Sequence, residues 1–290
     1  MYDKYLRELR ISVARSLRSS VPNPQNVECF EIFTPLWTLI YGLQNEENTP
    51  NPTKQLLMSH LRESGDLSGF LSVCRDRSIE NSYGPQLRAA HSAMTFNSYF
   101  DELVSDSLQF INAFHFYNYR SCMISVRCIL ENLYRHLYYL DNREYFIRVH
   151  ELGESEHDLK LTPALFRTYL EGASYLKSVN SLKWSYVISG KNFTGLQKLN
   201  QGLYSKTSSY VHGSLPSTLN RLESNLDLVY DPSKADEVIK MAEMLIEMCV
   251  AFLCCAHLGQ FSGFNETEKR LVLAPFKGTK RPNFRNAIRV

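Results

Sequence analysis

The apolar residues of this chain recur every three or four positions over long stretches, and this spacing limits the possible folds most narrowly. Proline and glycine are concentrated in a few short segments, among them "VPNPQN" (21–26), "SYGP" (82–85) and "HGSLPS" (212–217). A 3.6-residue period places apolar side chains on one face of an α-helix, whereas a half-buried strand requires strict alternation. The sequence therefore predicts an all-α fold, a helical bundle of four to five helices with an N-terminal helical extension.

The strongest periodic signal runs from Phe100 to Leu140, and "FHFYNYR" (114–120) predicts a break into two antiparallel helices. A helix is expected from Thr162, with Pro163 in its first turn, toward Val179. The segment "SLKWSYVISGKNFTG" (181–195) is expected to be an ordered loop. The apolar stripe of the second bundle helix is Val126, Leu130, Leu133 and Leu137. A fourth helix is indicated by Leu196, Leu199, Leu203 and Tyr210. A fifth is expected after "YDPSKADE" (230–237), with Asp231 or Ser233 as its cap and residues 238–258 apolar enough to be buried on most sides.

Three regions follow from this pattern: an N-terminal helical region of unknown role (1–94), the bundle (95–262) and a basic C-terminal tail (263–290). Residues 265–290 hold seven Lys or Arg and two Glu, so this segment carries +5 in a chain whose formal net charge is +2. Such a charge imbalance favours an anionic partner, and a solvated, partly disordered tail is the alternative. The tail residues Lys280, Arg281 and Arg285 are candidate RNA contacts.

The sequence contains no run of about 18 or more apolar residues, and its first twenty residues lack an apolar block. Neither a membrane span nor a secretory signal is therefore expected. The seven cysteines form an odd set without a regular framework, which fits a reducing compartment. We expect a cytoplasmic protein that does not contact a membrane.

The segment "YSKTSSYVHGS" (204–214) ends a predicted helix in a histidine followed by glycine. At 100 degrees per residue, Ser205, Ser208, Ser209 and His212 share one face. Gly213 suits the left-handed position beyond a helix end, which places His212 in the last turn, where the helix dipole favours its protonated form. His212 is therefore a candidate for proton transfer near neutral pH, and capping of backbone carbonyls is the alternative.

Two segments together, "FYNYRSCMISVRCILENLYRHLY" and, some seventy residues later, "LYSKTSSYVHGS", resemble the HEPN superfamily of helical-bundle proteins, above all its abortive-infection and toxin-type members. The first resembles their helix with an "R, two residues, apolar, Glu" signature, here Arg127 and Glu131. The second resembles the helix that ends in a functional histidine, here His212. The resemblance covers about residues 95–260.

The resemblance implies metal-independent RNA cleavage, in which an arginine four to six residues before the histidine binds phosphate and the histidine handles the proton of the attacking 2′-hydroxyl. In this chain the corresponding interval holds Lys206 and no arginine. Lysine is a point charge that cannot bind phosphate bidentately, and six residues of helix turn it about 240 degrees from His212. The resemblance also implies a homodimer with the motifs facing each other, which would bring a second cation to His212.

Arg127 and Glu131 are expected to bridge helices, with a polar lining of the cleft as the alternative. If Arg127 reaches His212, it is the missing phosphate cation. A second Arg–His spacing, Arg143 and His150, is attributed to chance because it directly follows the second bundle helix.

Two other clusters are assigned mainly structural roles. Cys249, Cys254, Cys255 and His257 lack the two-residue spacing of a zinc knuckle and are expected to be buried in an apolar helix. The aromatic residues of 114–119, beside Arg120, would fill a bundle end or stack on exposed bases. No metal or cofactor is expected.

Two functions remain. The first is an effector of a bacterial antiphage, abortive-infection or toxin-type system that binds or cleaves RNA without metal, with His212 as acid–base group and Lys206 or Arg127 as phosphate clamp. Its other predicted RNA contacts are Ser205, Ser208, Ser209 and Arg120. The second is a catalytically silent scaffold that dimerises and docks a partner effector, a second protein of the same defence system, or nucleic acid.

Overall fold

The computed structural model describes residues 24–45, 99–150, 152–211 and 230–289. Most of the predicted N-terminal helical region (1–94) lies outside these ranges, and so does His212. The described part is predominantly helical, as predicted. In chain order its helices are α1 (Pro24–Asn45), α2 (99–115), α3 (Tyr119–Asp141), α4 (Arg143–His150), α5 (Pro163–Gly172), α6 (Lys177–Asn180), α7 (Leu196–Val211), α8 (Pro232–Ala256), α9 (Leu258–Gly263), α10 (Glu266–Val272) and α11 (Lys280–Ile288).

The predicted break between the two antiparallel helices is confirmed at residues 116–118. Tyr117 has a positive φ of 55°, and the side chain of Asn118 accepts the backbone N–H of Ser121 at 3.1 Å. An asparagine at this position satisfies an N–H that the first helical turn leaves without a partner. The apolar stripe of α3 is fully buried, as its spacing predicts: Val126, Leu130, Leu133 and Leu137.

Helix α8 is buried continuously from Leu245 to Cys255 and packs against α1, α3 and α7. Asp231 caps it by accepting the backbone N–H groups of Ser233 and Lys234, and Pro232 occupies its first position. Of the two predicted caps, Asp231 is the one observed. Helix α1 contributes Phe33 and Leu36 to the same core, so this part of the N-terminal region packs as an extension of the bundle.

The predicted loop at 181–195 contains a β-hairpin, β1 (Ser185–Ile188) paired antiparallel with β2 (Lys191–Thr194). Its two turn residues, Ser189 and Gly190, both have positive φ (49° and 78°), which is the geometry of a type I′ turn. The hairpin packs on α7 at Gly202, where an added Cβ would come within 2.8 Å of the Phe193 ring. An ordered segment was correctly predicted, but its strand pairing was missed.

The helix predicted from Thr162 to Val179 begins as expected and is then interrupted. Thr162 accepts the backbone N–H of Leu165 at 3.2 Å, with Pro163 in the first turn. Helix α5 ends at Gly172, because Ala173 adopts an extended ψ of 124°. A 3₁₀ turn (Ser174–Leu176) and the short α6 follow instead of a continuous helix.

The basic C-terminal segment is folded onto the bundle and is not a solvated tail. Helix α10 packs against α1, and α11 packs against α6. Phe276 and Phe284 are buried with their rings stacked at 4.4 Å, and Trp184 of the hairpin region lies 5.5 Å from Phe276. Burial of these aromatic side chains offsets the entropy of ordering the segment.

Helix α1 and the segment after α9 meet at Gly42, and this contact yields a stability prediction. A Cβ on Gly42 would overlap the buried ring of Phe264. Gly42→Ala should therefore lower the free energy of unfolding by about 1–3 kcal/mol, although alanine is the better helix former. Gly172→Ala is the control, because nothing lies within 4 Å of the corresponding Cβ. Urea denaturation showing equal effects for both variants would contradict this packing.

Candidate functional site

Helix α7 carries the serine-rich motif and lies between α3 and the hairpin. Its apolar residues Leu199 and Leu203 are fully buried, whereas Ser205 is exposed. The half-buried Ser208 and Ser209 donate their hydroxyls to the carbonyls of Tyr204 and Lys206, each at 2.7 Å. The serine face is therefore the more accessible side of the helix, and two of its hydroxyls are held by the helix backbone.

Arg127 crosses from α3 to this face of α7. Its Nη1 donates to Ser208 Oγ at 2.6 Å and to the Tyr204 carbonyl at 3.2 Å, while Nε donates to Glu131 at 2.5 Å. The guanidinium also lies 3.3 Å from the centroid of the Tyr204 ring. Only 10% of the Arg127 side chain is exposed. The expected bridge between helices is therefore observed, and it links α3 to the helix that carries the motif.

A second arginine approaches the same tyrosine. The Arg167 guanidinium, on α5, lies 4.5 Å from the Tyr204 ring centroid. The Tyr204 ring also lies 6.2 Å from the ring of Tyr134, whose hydroxyl donates to the buried Asn200. Cations are attracted to the negative face of an aromatic ring, so Tyr204 contacts both guanidinium groups. Sequence reasoning missed Arg167, which no motif singles out.

The carboxylates around this cluster do not fully neutralise it. Glu131 is shared between Arg127 and Arg135, at 2.5 and 3.9 Å. Arg135 is paired mainly with Glu156 at 2.9 Å. The hydrogen bond and charge of Glu156 outweigh the effect of burial and hold the pKa of Arg135 above its usual range. Arg127, Arg135 and Arg167 outnumber the carboxylates of Glu131 and Glu156 by one, and this excess of positive charge favours an anionic ligand.

Lys206 lies on another side of α7 and does not join Arg127. Its Nζ is 2.8 Å from Glu237 of α8 and 5.6 Å from the Tyr210 ring centroid. Burial lowers the pKa of Lys206, but the hydrogen bond to Glu237 outweighs that effect and raises it overall. Ser208 is two residues further along, about 200 degrees around the helix. The cation at the serine face is therefore Arg127 and not Lys206.

His212, the predicted proton-transfer group, follows directly after Val211, the last described residue of α7. It lies outside the described residues. It remains a prediction, four residues beyond Ser208 in the sequence.

The remaining predicted RNA contacts do not form one surface. Arg120 is half-buried in the first turn of α3. Lys280 lines a cavity of about 440 Å³ beside α1 and α8, where its Nζ binds Glu247 at 2.8 Å and lies 4.1 Å from the Tyr186 ring centroid. Arg281 and Arg285 line a separate cleft.

The aromatic cluster beside Arg120 mostly fills the bundle end. Phe114 and Tyr119 are buried with ring centroids 6.1 Å apart, and Tyr117 packs against Tyr230. Phe116 is 68% exposed. One ring of the cluster is therefore available for stacking on a ligand.

The surroundings of His150, the histidine of the second Arg–His spacing, differ from those of the Arg127 cluster. His150 Nε2 lies 2.6 Å from the Tyr99 hydroxyl, and its ring stacks on Phe146 at 4.6 Å. Burial lowers the pKa of His150. This histidine is held mainly by aromatic packing.

The cysteines of α8 are buried, as expected, and burial raises the pKa of the Cys249 and Cys254 thiols. His257 shares a hydrogen bond with the fully buried His136, with 2.8 Å between the Nε2 atoms. Within 24–45, 99–150, 152–211 and 230–289, no group of three or more His, Cys, Asp or Glu is arranged to hold a metal ion. None of the helices in these ranges combines the length and apolarity needed to cross a membrane.

Comparison with known proteins finds no matching family model, no matching curated protein and no matching solved structure. The resemblance to the HEPN superfamily therefore stays a prediction from the two sequence motifs.

Proposed function

We propose that this chain is a HEPN-like effector of a bacterial antiphage, abortive-infection or toxin-type system that binds RNA and cleaves it without a metal ion. His212 is the acid–base group and Arg127 is the phosphate clamp. One observation supports this assignment most directly: Arg127 Nη1 is bonded to Ser208 and to the Tyr204 carbonyl. The permanent cation of Arg127 thereby reaches from α3 to α7. It contacts α7 at Ser208, which lies four residues before His212 in the sequence.

The proposed chemistry needs only these two kinds of group. The His212 imidazole removes the proton of a 2′-hydroxyl, and the resulting oxygen attacks the adjacent phosphorus. The bond from phosphorus to the 5′-oxygen breaks, and that oxygen takes up a proton, leaving a 2′,3′-cyclic phosphate and a 5′-hydroxyl. The guanidinium stabilises the charge that develops on the phosphate oxygens in the transition state.

A homodimer, or a larger oligomer of this chain, belongs to the same proposal. Because the Arg127 side chain is only 10% exposed, only a small part of it can contact a phosphate. A cation contributed by a second copy of the chain would complete the phosphate clamp. Permanent charge from a partner also lowers the barrier without requiring Lys206, which is paired with Glu237.

The test compares purified wild-type protein with His212→Ala on a single-stranded oligoribonucleotide in excess EDTA. Wild type should cleave and leave cyclic-phosphate ends, and a substrate with 2′-deoxyribose at the cleavage site should resist. His212→Ala should be slower by about 100-fold or more, since positioned general acid–base catalysis contributes about 10²–10⁴-fold. Expression of both proteins in bacteria adds growth and RNA integrity as readouts. Equal cleavage by the two proteins would refute the role of His212.

A catalytically silent scaffold is the second candidate, and one feature favours it. Both candidate phosphate-binding cations already form ion pairs, Arg127 with Glu131 and Lys206 with Glu237. Such pairs hold helices together without a ligand. If wild type and His212→Ala both leave RNA intact while the protein co-purifies with a partner effector, the scaffold function is supported instead.

A further inference from the structure

A cleft between α10 and α11 concentrates positive charge away from the Arg127 cluster. It has a volume of about 340 Å³. Its charged lining residues are Lys269, Arg270, Arg281, Arg285 and Glu266. Four of these residues are cations and one is a carboxylate, so the lining of this concave space is predominantly basic. Like charges that line one cleft repel each other, so an anion bound in the cleft would reduce that repulsion.

Glu266 does not saturate the cations around it. Its carboxylate lies 3.8 Å from Lys269 Nζ and 4.0 Å from Arg285 Nη2. Both distances exceed the range of about 2.7–3.2 Å for a nitrogen–oxygen hydrogen bond. The Glu266 side chain is 79% exposed, so water screens these contacts further. The carboxylate therefore weakens the field of the cleft only in part.

The four cations lie on two helices, α10 and α11, whose backbone is ordered. Asn265 and Glu268 form a capping box at the start of α10, and Arg281 Nε donates to the Leu273 carbonyl at 3.1 Å. Leu273 and Phe284 are buried in the core. The Arg281 side chain, held in this way, loses less conformational entropy when it binds a ligand.

We propose that this cleft binds a compact polyphosphate, carried either by a free nucleoside polyphosphate or by the 5′ end of an RNA strand. Arginine binds phosphate oxygens bidentately, and three arginines with one lysine match the charge of two or three linked phosphates. The volume is at the low end of the roughly 300–1,000 Å³ of small-molecule sites, which suits a phosphate group and not a length of duplex. Lys280 is not part of this site, because it binds Glu247.

The site is independent of RNA cleavage at the Arg127 cluster. Its test is titration calorimetry at low salt with inorganic triphosphate. Arg270→Gln removes an exposed cation and should weaken binding about ten-fold, whereas Glu266→Gln removes the opposing carboxylate and should tighten binding about three- to ten-fold. Lys191→Gln removes an exposed cation from the hairpin and should leave the affinity unchanged. A merely structural role of these residues would not produce opposite shifts from Arg270 and Glu266.

Two further ligands identify the source of the phosphate. ATP tests the free nucleotide, and a 5′-triphosphorylated oligoribonucleotide, compared with its 5′-hydroxyl counterpart, tests the strand end. Tighter binding of either over its unphosphorylated equivalent supports the site and assigns its ligand. The proposal is overturned if neither ligand nor triphosphate binds, or if binding is the same in wild type, Arg270→Gln and Glu266→Gln. Arg270→Gln should still cleave 5′-hydroxyl RNA, so failure of this site is distinct from failure of the nuclease.

Discussion

Replacing Arg127 with glutamine should slow RNA cleavage by about 100- to 1,000-fold, the usual effect of removing one group that stabilises transition-state charge. Lys206→Gln should leave the rate unchanged. The two cations lie on α3 and α7 respectively, and only Arg127 is bonded to Ser208. Because each is ion-paired with a glutamate, the two variants lose a comparable charge pair. Single-turnover rates at saturating RNA separate the chemical step from binding.

Arg127 also holds two helices together, so a rate loss requires a structural control. Arg127→Gln leaves Glu131 near Arg135, whose Nη1 is 3.9 Å away, and should cost about 1–3 kcal/mol of stability. The assay temperature must therefore lie well below the melting temperature of the variant. Added guanidinium ions should partly restore cleavage by Arg127→Ala if the group acts on phosphate. A loss of cleavage in Lys206→Gln with retention in Arg127→Gln would reverse the assignment.

Lowering the pH from 7 to 4 should remove about 3 kcal/mol of stability through His257 alone. Burial lowers the pKa of His257 to about 3, against a usual value near 6.5. The folded state therefore binds fewer protons than the unfolded state between these values. Stability is fully present above pH 6.5 and is lost as the pH falls toward 3, by about 1.4 kcal/mol per pH unit. Protonation places a charge beside Phe100 and His136 in the core.

Other groups change the total slope, so the measurement isolates His257 by difference. Burial lowers the pKa of His115 and His150, which adds loss in acid. Asp106 acts in the opposite direction: burial raises its pKa to about 6, so its contribution is present in acid and is lost as the pH rises from about 4 to 6.

Urea denaturation of wild type, His257→Gln and His157→Gln at several pH values provides the comparison. His257→Gln should flatten the loss below pH 6.5 even if it lowers stability at pH 7. The His157 side chain is 97% exposed, so His157→Gln should keep the wild-type slope. Parallel slopes for all three proteins would contradict the burial of an uncharged His257.

Local patterns along the chain predicted most of the helices. The apolar stripe of α3, the break before Asn118 and the caps at Thr162 and Asp231 each depend on residues within one or two turns of each other. Helical periodicity and end-capping are local effects, and a sequence displays them directly. The hairpin was missed because its strands have only four residues each, too few for alternation to stand out.

The partners of the polar side chains were decided only by tertiary packing. Arg127 is bonded to Ser208, 81 residues further along the chain. Arg167 contacts Tyr204 from a third helix, and Lys206 is paired with Glu237 of α8. An apolar stripe states which face of a helix is buried, but not which helix covers it or in what register. Long-range pairs of charged groups therefore leave no local signature, and the same holds for the aromatic contacts that fold the basic C-terminal segment onto the core.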